Sequence, residues 1–396
     1  MEVKRNFLLR NDDLLDYDIE SNRHELKNII SSSRFMVVGA AGSIGSAVVL
    51  QLIKYNALSV YAIDISENNL AELVRDVRNS FPNSNTNFKT FSIALGSDEF
   101  TCFQEMHQDF DYIINLSAMK HVRSESNPYS LMRMIDLNVV QTSSLINYAI
   151  SINAKNYFSV SSDKSVNPAN AMGASKCMME EVMVGFSEQI NVSSARFANV
   201  AFSDGSILHS MKNRLHKSQP IVVPTGIKRY FISQREAGEL CLMAIILGKN
   251  REIFFPKLEE SKHLMEFEEI IKNYMINEGL SPLFYENEKE AIKSASSQSE
   301  KEQKFWPCIY SKTNTSGEKP FEEFIGLNEK PDLSRFLNMG VLKLKKKNFN
   351  YHNFIEDLNN IKLTGKWTRD DLLQLLKQYV PTFIHNETGK FLDDKI

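Results

Sequence analysis

A chain of 396 residues with 42% hydrophobic and 24% charged side chains is long enough for one large domain or two modest ones and has an ordinary globular composition. A net charge of -3 removes any global electrostatic case for binding nucleic acid or an anionic membrane. Cys102, Cys177, Cys241 and Cys308 lack C-x-x-C spacing, which argues against a zinc site or a disulfide framework and suits a reducing, cytoplasmic setting.

In chain order, residues 1–33 read as an N-terminal arm. Leu8, Leu9, Leu14 and Leu15 are available to pack on the body, and residues 19–30 have the spacing of an amphipathic helix. The opening Met-Glu-Val-Lys-Arg-Asn leads into a charged stretch without the apolar core of a signal peptide. The strongest apolar run, Leu240 to Leu247, is too short to cross a bilayer, so no membrane insertion is expected. Arg34 to Val38 predicts a strand, and a helix follows with apolar residues at 44, 47, 48 and 52. Leu58 to Ile63 is a second strand, ending in Asp64. More strands are predicted near 88–93, 111–116, 155–161 and 192–197, separated by helices near 67–79, 129–152 and 171–188. That alternation predicts an α/β fold, a doubly wound parallel sheet of the Rossmann type.

Beyond residue 200 the alternation breaks down. Short strands, a helix near 235–247 and polar loops predict a smaller C-terminal domain over 201–345. Residues 286–304, charged and Ser-rich, predict an exposed helix or mobile loop. Leu342 to Asn348 holds four lysines, read as a solvated strand edge or an anion-binding patch. Residues 346–396 predict a C-terminal helix, Trp367 to Val380, and a polar tail. There is no internal repeat.

The turn after the first strand, Gly39-Ala-Ala-Gly42-Ser43-Ile44-Gly45, suits a dinucleotide. Small residues let the backbone approach a pyrophosphate, and the helix N-terminus offers unpaired N–H groups. Asp64 lies 19 positions beyond Gly45, where a carboxylate accepts from the adenosine ribose and repels a 2′-phosphate. NAD is therefore expected over NADP, and residues 34–200 form its domain. Asp64 could instead merely start the next helix, with Ser66 as its cap. Asn115, Ser117 and Ala118 follow the fourth strand and are expected on the nicotinamide side. Lys120 and His121 come next, at the carboxyl end of the sheet, although His121 reads equally as a packed loop residue. The eight histidines show no H-x-x-x-H, so no metal is expected.

Ser161 to Lys176 holds the chemistry. Ser162, Asp163 and Lys164 leave the end of the fifth strand, and Met172 and Lys176 share one face of the next helix. An acid beside an amine is a ready proton donor and acceptor.

This stretch does not stand alone. Ala118-Met-Lys-His-Val122, Asn127-Pro128, Asn138-Val139, Arg196-Phe-Ala-Asn199-Val200, Gly205-Ser206, Arg229-Tyr-Phe231 and Gly317-Glu318-Lys319 accompany it. Together they resemble the polysaccharide-biosynthesis branch of extended short-chain dehydrogenases/reductases, the nucleotide-sugar 4,6-dehydratases of UDP-N-acetylglucosamine and its relatives. The resemblance runs over residues 34–325. It implies NAD and a UDP-sugar, or a GDP analogue, serving surface polysaccharide or glycan synthesis. It implies Asp163 as the acid at sugar carbon 6, Lys164 as the base at carbon 5, and Ser162 with Lys176 handling the carbon 4 hydroxyl proton. Met172 stands where most relatives have a tyrosine. That marks a subgroup typified by large membrane-anchored dehydratases and implies retained configuration at carbon 5. Asn199, Ser206, Arg229 and Glu318 are implied as substrate contacts. A homo-oligomer is expected, with the N-terminal arm and C-terminal helix as contacts. Ala94-Leu95-Gly96 departs from the family where many relatives carry an adenine-binding aspartate, and Pro320 departs after Gly-Glu-Lys. Two other readings compete: a nucleotide-sugar 4-epimerase, which would conserve mass, and a non-catalytic NAD-binding module, which would turn nothing over.

Overall fold

The computed structural model describes residues 13–297, 304–312, 322–346 and 349–385. Two short helices, α1 (Asp16–Ser21) and α2 (Arg23–Ser31), lead into β1 (Arg34–Val38), buried at four of its five residues as a central parallel strand must be. The alternation then proceeds through α3 (Ser43–Lys54), β2 (Ser59–Asp64), α4 (Glu67–Ser80), β3 (Asn87–Ser92), α5 (Asp98–Met106) and β4 (Tyr112–Asn115). The helix expected over 129–152 is divided. It runs as α6 (Pro128–Ile135), a π-helical turn at Asp136–Val140, and α7 (Gln141–Ser151). The π turn lets Asn138 leave the helical ladder. Its Oδ1 accepts from the Met119 N–H at 3.0 Å, and its Nδ2 donates to Ser175 Oγ at 2.9 Å. β5 (Asn156–Val160), α8 (Ala171–Gly185) and β6 (Asn191–Ala195) complete this half.

The second half holds β7 (Asn199–Val200), α9 (Ile207–His216), β8 (Ile221–Thr225), β9 (Lys228–Ile232), α10 (Gln234–Leu247), β10 (Glu252–Pro256), α11 (Glu260–His263) and β11 (Leu264–Glu266). It continues with α12 (Phe267–Asn277), β12 (Ser281–Tyr285), α13 (Glu288–Ser297), β13 (Phe305–Lys312), β14 (Pro331–Asp332) and β15 (Met339–Lys343). Two helices, α14 (Tyr351–Leu363) and α15 (Arg369–Tyr379), close it.

Nine strands form one sheet in the order β14-β15-β10-β6-β5-β4-β1-β2-β3. From β10 to β3 every pairing is parallel; β15 and β14 add antiparallel at one edge. This is the expected Rossmann-type α/β sheet, with helices on both faces. Three of its strands, β10, β14 and β15, come from beyond residue 200, so that position divides the sequence but not the sheet. Two three-stranded sheets, β11-β9-β7 and β12-β13-β8, form the smaller body. Leu208, Ile221, Ile270, Ile271 and Trp306 pack at its centre. Lys343 ends β15 exposed and Lys346 pairs with Glu188 at the surface; Lys347 and Asn348 lie outside the described residues.

The described residues of both elements expected as oligomer contacts pack on their own chain; residues 1–12 of the arm, with Leu8 and Leu9, lie outside the described residues. Leu15, Ile19, Leu26 and Ile30 of the arm join the core beneath α3 and α10. Asp18 accepts from the backbone N–H groups of Leu337 and Asn338, each at 2.7 Å. At the other end, where a polar tail and one helix were expected, α14 and α15 pack as a pair. α15, through Leu372 and Leu376, lies against α6 and α8, and α14, with Phe354 and Leu358 buried, packs on α15. α8 is accordingly buried along nearly its whole length. Among the described residues no helix is long and apolar enough to cross a membrane.

Candidate functional site

The strand order reverses between β1 and β4, and at such a switch point the loops separate to leave a crevice at the strand carboxyl ends. A cavity of about 500 Å³ lies there, roofed by β7, β9 and α12. It brings together Gly39, Gly42, Ser43, Ile44, Gly45, Ala118, Lys120, His121, Ser162, Asp163, Lys164, Met172, Lys176, Asn199, Ser206 and Arg229. Asp64, Asn115 and Ser117 do not line it. Glu318, with the rest of Gly-Glu-Lys, lies outside the described residues.

The glycine turn is built for close approach. A Cβ on Gly45 would sit 2.0 Å from the Gly39 carbonyl oxygen, and one on Gly39 (φ +76°) 2.5 Å from the Ser117 nitrogen. Gly42 is the N-cap of α3 and supplies no capping side chain. The first-turn N–H groups at Ser43, Ile44 and Gly45 therefore face the cavity with no intrahelical acceptor, as an anion-binding helix end requires. These residues fit a dinucleotide pyrophosphate. Asp64 supports the turn from behind. Its Oδ2 accepts from the Ala41 N–H and its Oδ1 from the Ser66 N–H, both at 2.9 Å. Asn115 is likewise internal: it accepts from Ser117 N–H at 3.1 Å and donates to Tyr157 Oη at 3.2 Å.

The chain turns sharply after β5. Ser162 Oγ accepts from the Lys164 N–H at 3.2 Å, and Ser165 N–H donates to the Ser162 carbonyl at 3.1 Å. This short 3₁₀ turn, Asp163–Ser165, aims Asp163 and Lys164 into the cavity. Lys164 Nζ lies 3.1 and 3.3 Å from the two Asp163 oxygens, and Ser162 Oγ donates to Oδ1 at 2.7 Å. Asp163 is buried and Lys164 only partly so. Four residues of α8 beyond Met172, Lys176 Nζ donates to the Val160 carbonyl at 2.8 Å. Burial pushes the Lys176 ammonium down to about 8, against an upward pull from Glu180.

Two groups below the turn fix its position. Glu180 Oε1 accepts from Ser161 Oγ at 2.6 Å and from Ser165 Oγ at 2.8 Å, while Arg196 reaches both Glu180 oxygens at 2.9 and 2.7 Å. The same guanidinium pairs with Glu329 at 2.7 and 3.0 Å. Glu125, fully buried, accepts from the Ala171 N–H that opens α8 at 2.7 Å. The C-terminal segment adds His385, 3.2 Å from Glu125, and an Ile384 N–H donating to the Pro168 carbonyl at 3.1 Å.

On the other wall Arg229 Nε lies 3.5 Å from Glu322 Oε1. Asn199 Nδ2 donates to that oxygen, and Tyr230 N–H to Glu322 Oε2 at 3.2 Å. Burial, then Lys120 and Arg123, lowers the pKa of His121, whose ring lies against Gly205. Burial also lowers Lys120, with Asp204 opposing. Asp204 N–H donates to Ser43 Oγ at 2.9 Å, which ties the loop before α9 to the first residue of α3. Lys120, Arg123, Lys164, Lys176 and Arg229 outweigh Asp163, Asp204 and Glu322, so the cavity is locally positive in a chain of net charge -3. Arg123 and Glu322 escape a motif reading. Arg123 follows His121 by two residues, which was the available signal; Glu322 has none beyond its place after Gly-Glu-Lys.

The sequence model of the polysaccharide biosynthesis protein family matches residues 35–294, which contain the glycine turn, the Asp163–Lys164 turn and Arg229. The chain belongs to that family. The polysaccharide biosynthesis protein EpsC of Bacillus subtilis is 28% identical over 61% of this chain, which spans only 40% of that protein's length. The UDP-N-acetylglucosamine 4,6-dehydratase (inverting) of Campylobacter jejuni is also 28% identical, over 59% of this chain and 70% of its own. The X-ray structure of Pen from Bacillus thuringiensis shares the fold with a TM-score of 0.63 at 20% identity, covering 80% of this chain and 89% of that one. The family's relatives thus include a nucleotide-sugar dehydratase, on a sheet that binds ligands at the carboxyl ends of its strands.

Proposed function

We propose that the chain is an NAD-dependent nucleotide-sugar 4,6-dehydratase acting on a UDP-activated N-acetylhexosamine, UDP-N-acetylglucosamine first. The Asp163–Lys164 pair, held at the cavity beside Met172 and Lys176, carries this reading. The first-turn N–H groups of α3 hold the NAD pyrophosphate, and Arg229, Asn199 and Ser206 hold the sugar nucleotide. NAD held there would supply the hydride acceptor at carbon 4 and the hydride donor at carbon 6.

The side chains move the protons. Lys176, neutral in part at pH near 8, accepts the carbon 4 hydroxyl proton, with Ser162 as a relay. Lys164 then removes the proton at carbon 5, acidified by the neighbouring ketone. Asp163 protonates the carbon 6 hydroxyl, which leaves as water, and as hydride adds at carbon 6 the protonated Lys164 returns its proton to carbon 5. The two groups start as an ion pair. Passing one proton from Lys164 to Asp163 makes the amine and the acid this step requires, without a proton from solvent. Met172 has no proton to offer and closes the site by packing, 3% exposed.

Mass and NMR of the product from UDP-N-acetylglucosamine test the reaction: a 4-keto-6-deoxy sugar supports it, and an isomer of unchanged mass makes the chain an epimerase. With Lys176 as acceptor, carbon 4 oxidation rises with pH and levels off above about 8, because the neutral amine is the base. Single-turnover NADH formation across pH reads this limb, which Lys176→Met removes. Asp64→Ser is expected to weaken NAD binding, measured as a rise in Kd, since the carboxylate that holds the Ala41 and Ser66 N–H groups behind the glycine turn is gone.

A further inference from the structure

Glu322 stands in a place a sugar-nucleotide site does not obviously need a carboxylate. It lines the cavity, is 7% exposed, and draws in the Asn199 amide, the Tyr230 N–H and the Arg229 guanidinium. Two of these donors, Asn199 and Arg229, are among those the proposed function assigns to the sugar nucleotide, whose diphosphate is its anionic part. A carboxylate and a diphosphate compete for the same donors, and two like charges cannot share them without one being neutralised.

We propose that Glu322 occupies the anion subsite of the empty enzyme and that a nucleoside diphosphate sugar enters with uptake of one proton by this carboxyl. The inference rests on the nucleotide-sugar reading of the cavity and adds a proton-linked gate to it. The surroundings favour such a step. Burial, the largest influence, and then Asp163 raise the Glu322 pKa; Arg229, the Tyr230 N–H and Lys164 pull it down by less. The charged groups facing it are Asp163 and Lys164 from the turn after β5 and Arg229 from β9. Arg196, behind Phe324, is taken up by Glu180 and Glu329. Glu260 faces the neighbouring Tyr230. Once Glu322 is protonated, its negative charge no longer opposes the incoming phosphates.

Calorimetric titration of the NAD-loaded full chain with UDP-glucose tests this, because its bridging diphosphate carries no proton near neutral pH. Binding heats in two buffers of different ionisation enthalpy give the proton count. The wild type is expected to take up between about half and one proton, with Kd weakening by up to roughly tenfold per pH unit as pH rises. Glu322→Gln, which keeps the shape and removes the charge, is expected to bind several-fold tighter with no uptake and a flat pH dependence. A merely structural glutamate would give weaker binding on substitution. Glu323→Gln, one residue away and bonded to Asn167, is expected to behave as wild type. Wild-type binding without proton uptake, or unchanged uptake or weaker binding in Glu322→Gln, overturns the gate and leaves the proposed function standing. A wild type that binds no UDP sugar removes both.

Discussion

In Asp163→Asn, loss of water from UDP-N-acetylglucosamine is expected to fall by about 10²–10⁴-fold, the usual worth of a positioned proton donor. Asparagine keeps the size of the side chain and its contact with Ser162 Oγ, so the turn after β5 should survive. It cannot deliver a proton to the carbon 6 hydroxyl. Oxidation at carbon 4 uses Lys176 on α8 instead, so NADH should still form and then persist, visible as a stable absorbance where the wild type shows a transient. Lys164→Met should stop the same step from the other side, by leaving the carbon 5 proton in place. The double variant should be little worse than either single one, because the two groups act as a unit. Full activity in both single variants would remove the proton roles given to this pair. A loss of NADH formation as well would mean that the pair also handles the carbon 4 proton.

The second large effect is on stability. Arg196→Met leaves Glu180, 4% exposed, without the cation that lets it stay ionised, at an expected cost of about 3–5 kcal/mol. Burial, the largest influence on Glu180, opposes ionisation. The charge and hydrogen bonds of Arg196, with those of Ser161 and Ser165, outweigh it and hold the carboxyl below its ordinary value. A depressed carboxyl contributes stability above its unfolded pKa, near 4.5, and that contribution disappears as pH falls through the lower folded value. The wild type should therefore lose stability on acidification, and Arg196→Met should already lack most of that contribution at neutral pH. Thermal melts of the two proteins at neutral and acid pH separate the cases. Because Glu180 also holds Ser161 and Ser165, the variant should be slow as well as unstable, by loosening the turn that carries Asp163.

The sheet was legible where local pattern and long-range packing agree. The central strands β1, β4 and β5 are short, mostly apolar and buried, helices alternate with them, and the glycine turn falls where the sheet reverses. The outer strands were not legible for a physical reason. β14 and β15 add antiparallel at the edge, β14 on β15 and β15 on β10, and β10 comes some eighty residues earlier. Nothing local states that pairing. In the site, residues inside compact motifs came together as expected, because a strand end and a helix face fix their direction. Asp64 and Asn115 were placed by the same logic, yet their polar atoms serve the loop backbone at 2.9–3.1 Å. Glu322 and the Glu180–Arg196–Glu329 cluster depend on contacts across more than a hundred residues in one or more pairs, which no spacing reveals. The same is true of α14 and α15. α15 was readable as a helix and α14 was not, and the docking of α15 on α8 was not legible.

That docking has a consequence for how the protein is made. α8 is complete once residue 185 is synthesised, but α15, which packs on it, comes only with residues 369–379. At about 5–20 residues per second, roughly 10–40 s of translation separate the two events. Through that interval α8 waits without α15 against it, and Ala171, its first residue, lacks the Glu125–His385 clasp. The nascent chain is therefore most open to chaperones, and to association with its neighbours on a polysome, at the very helix that later holds Lys176. The active arrangement is assembled last, when the final helices settle onto it.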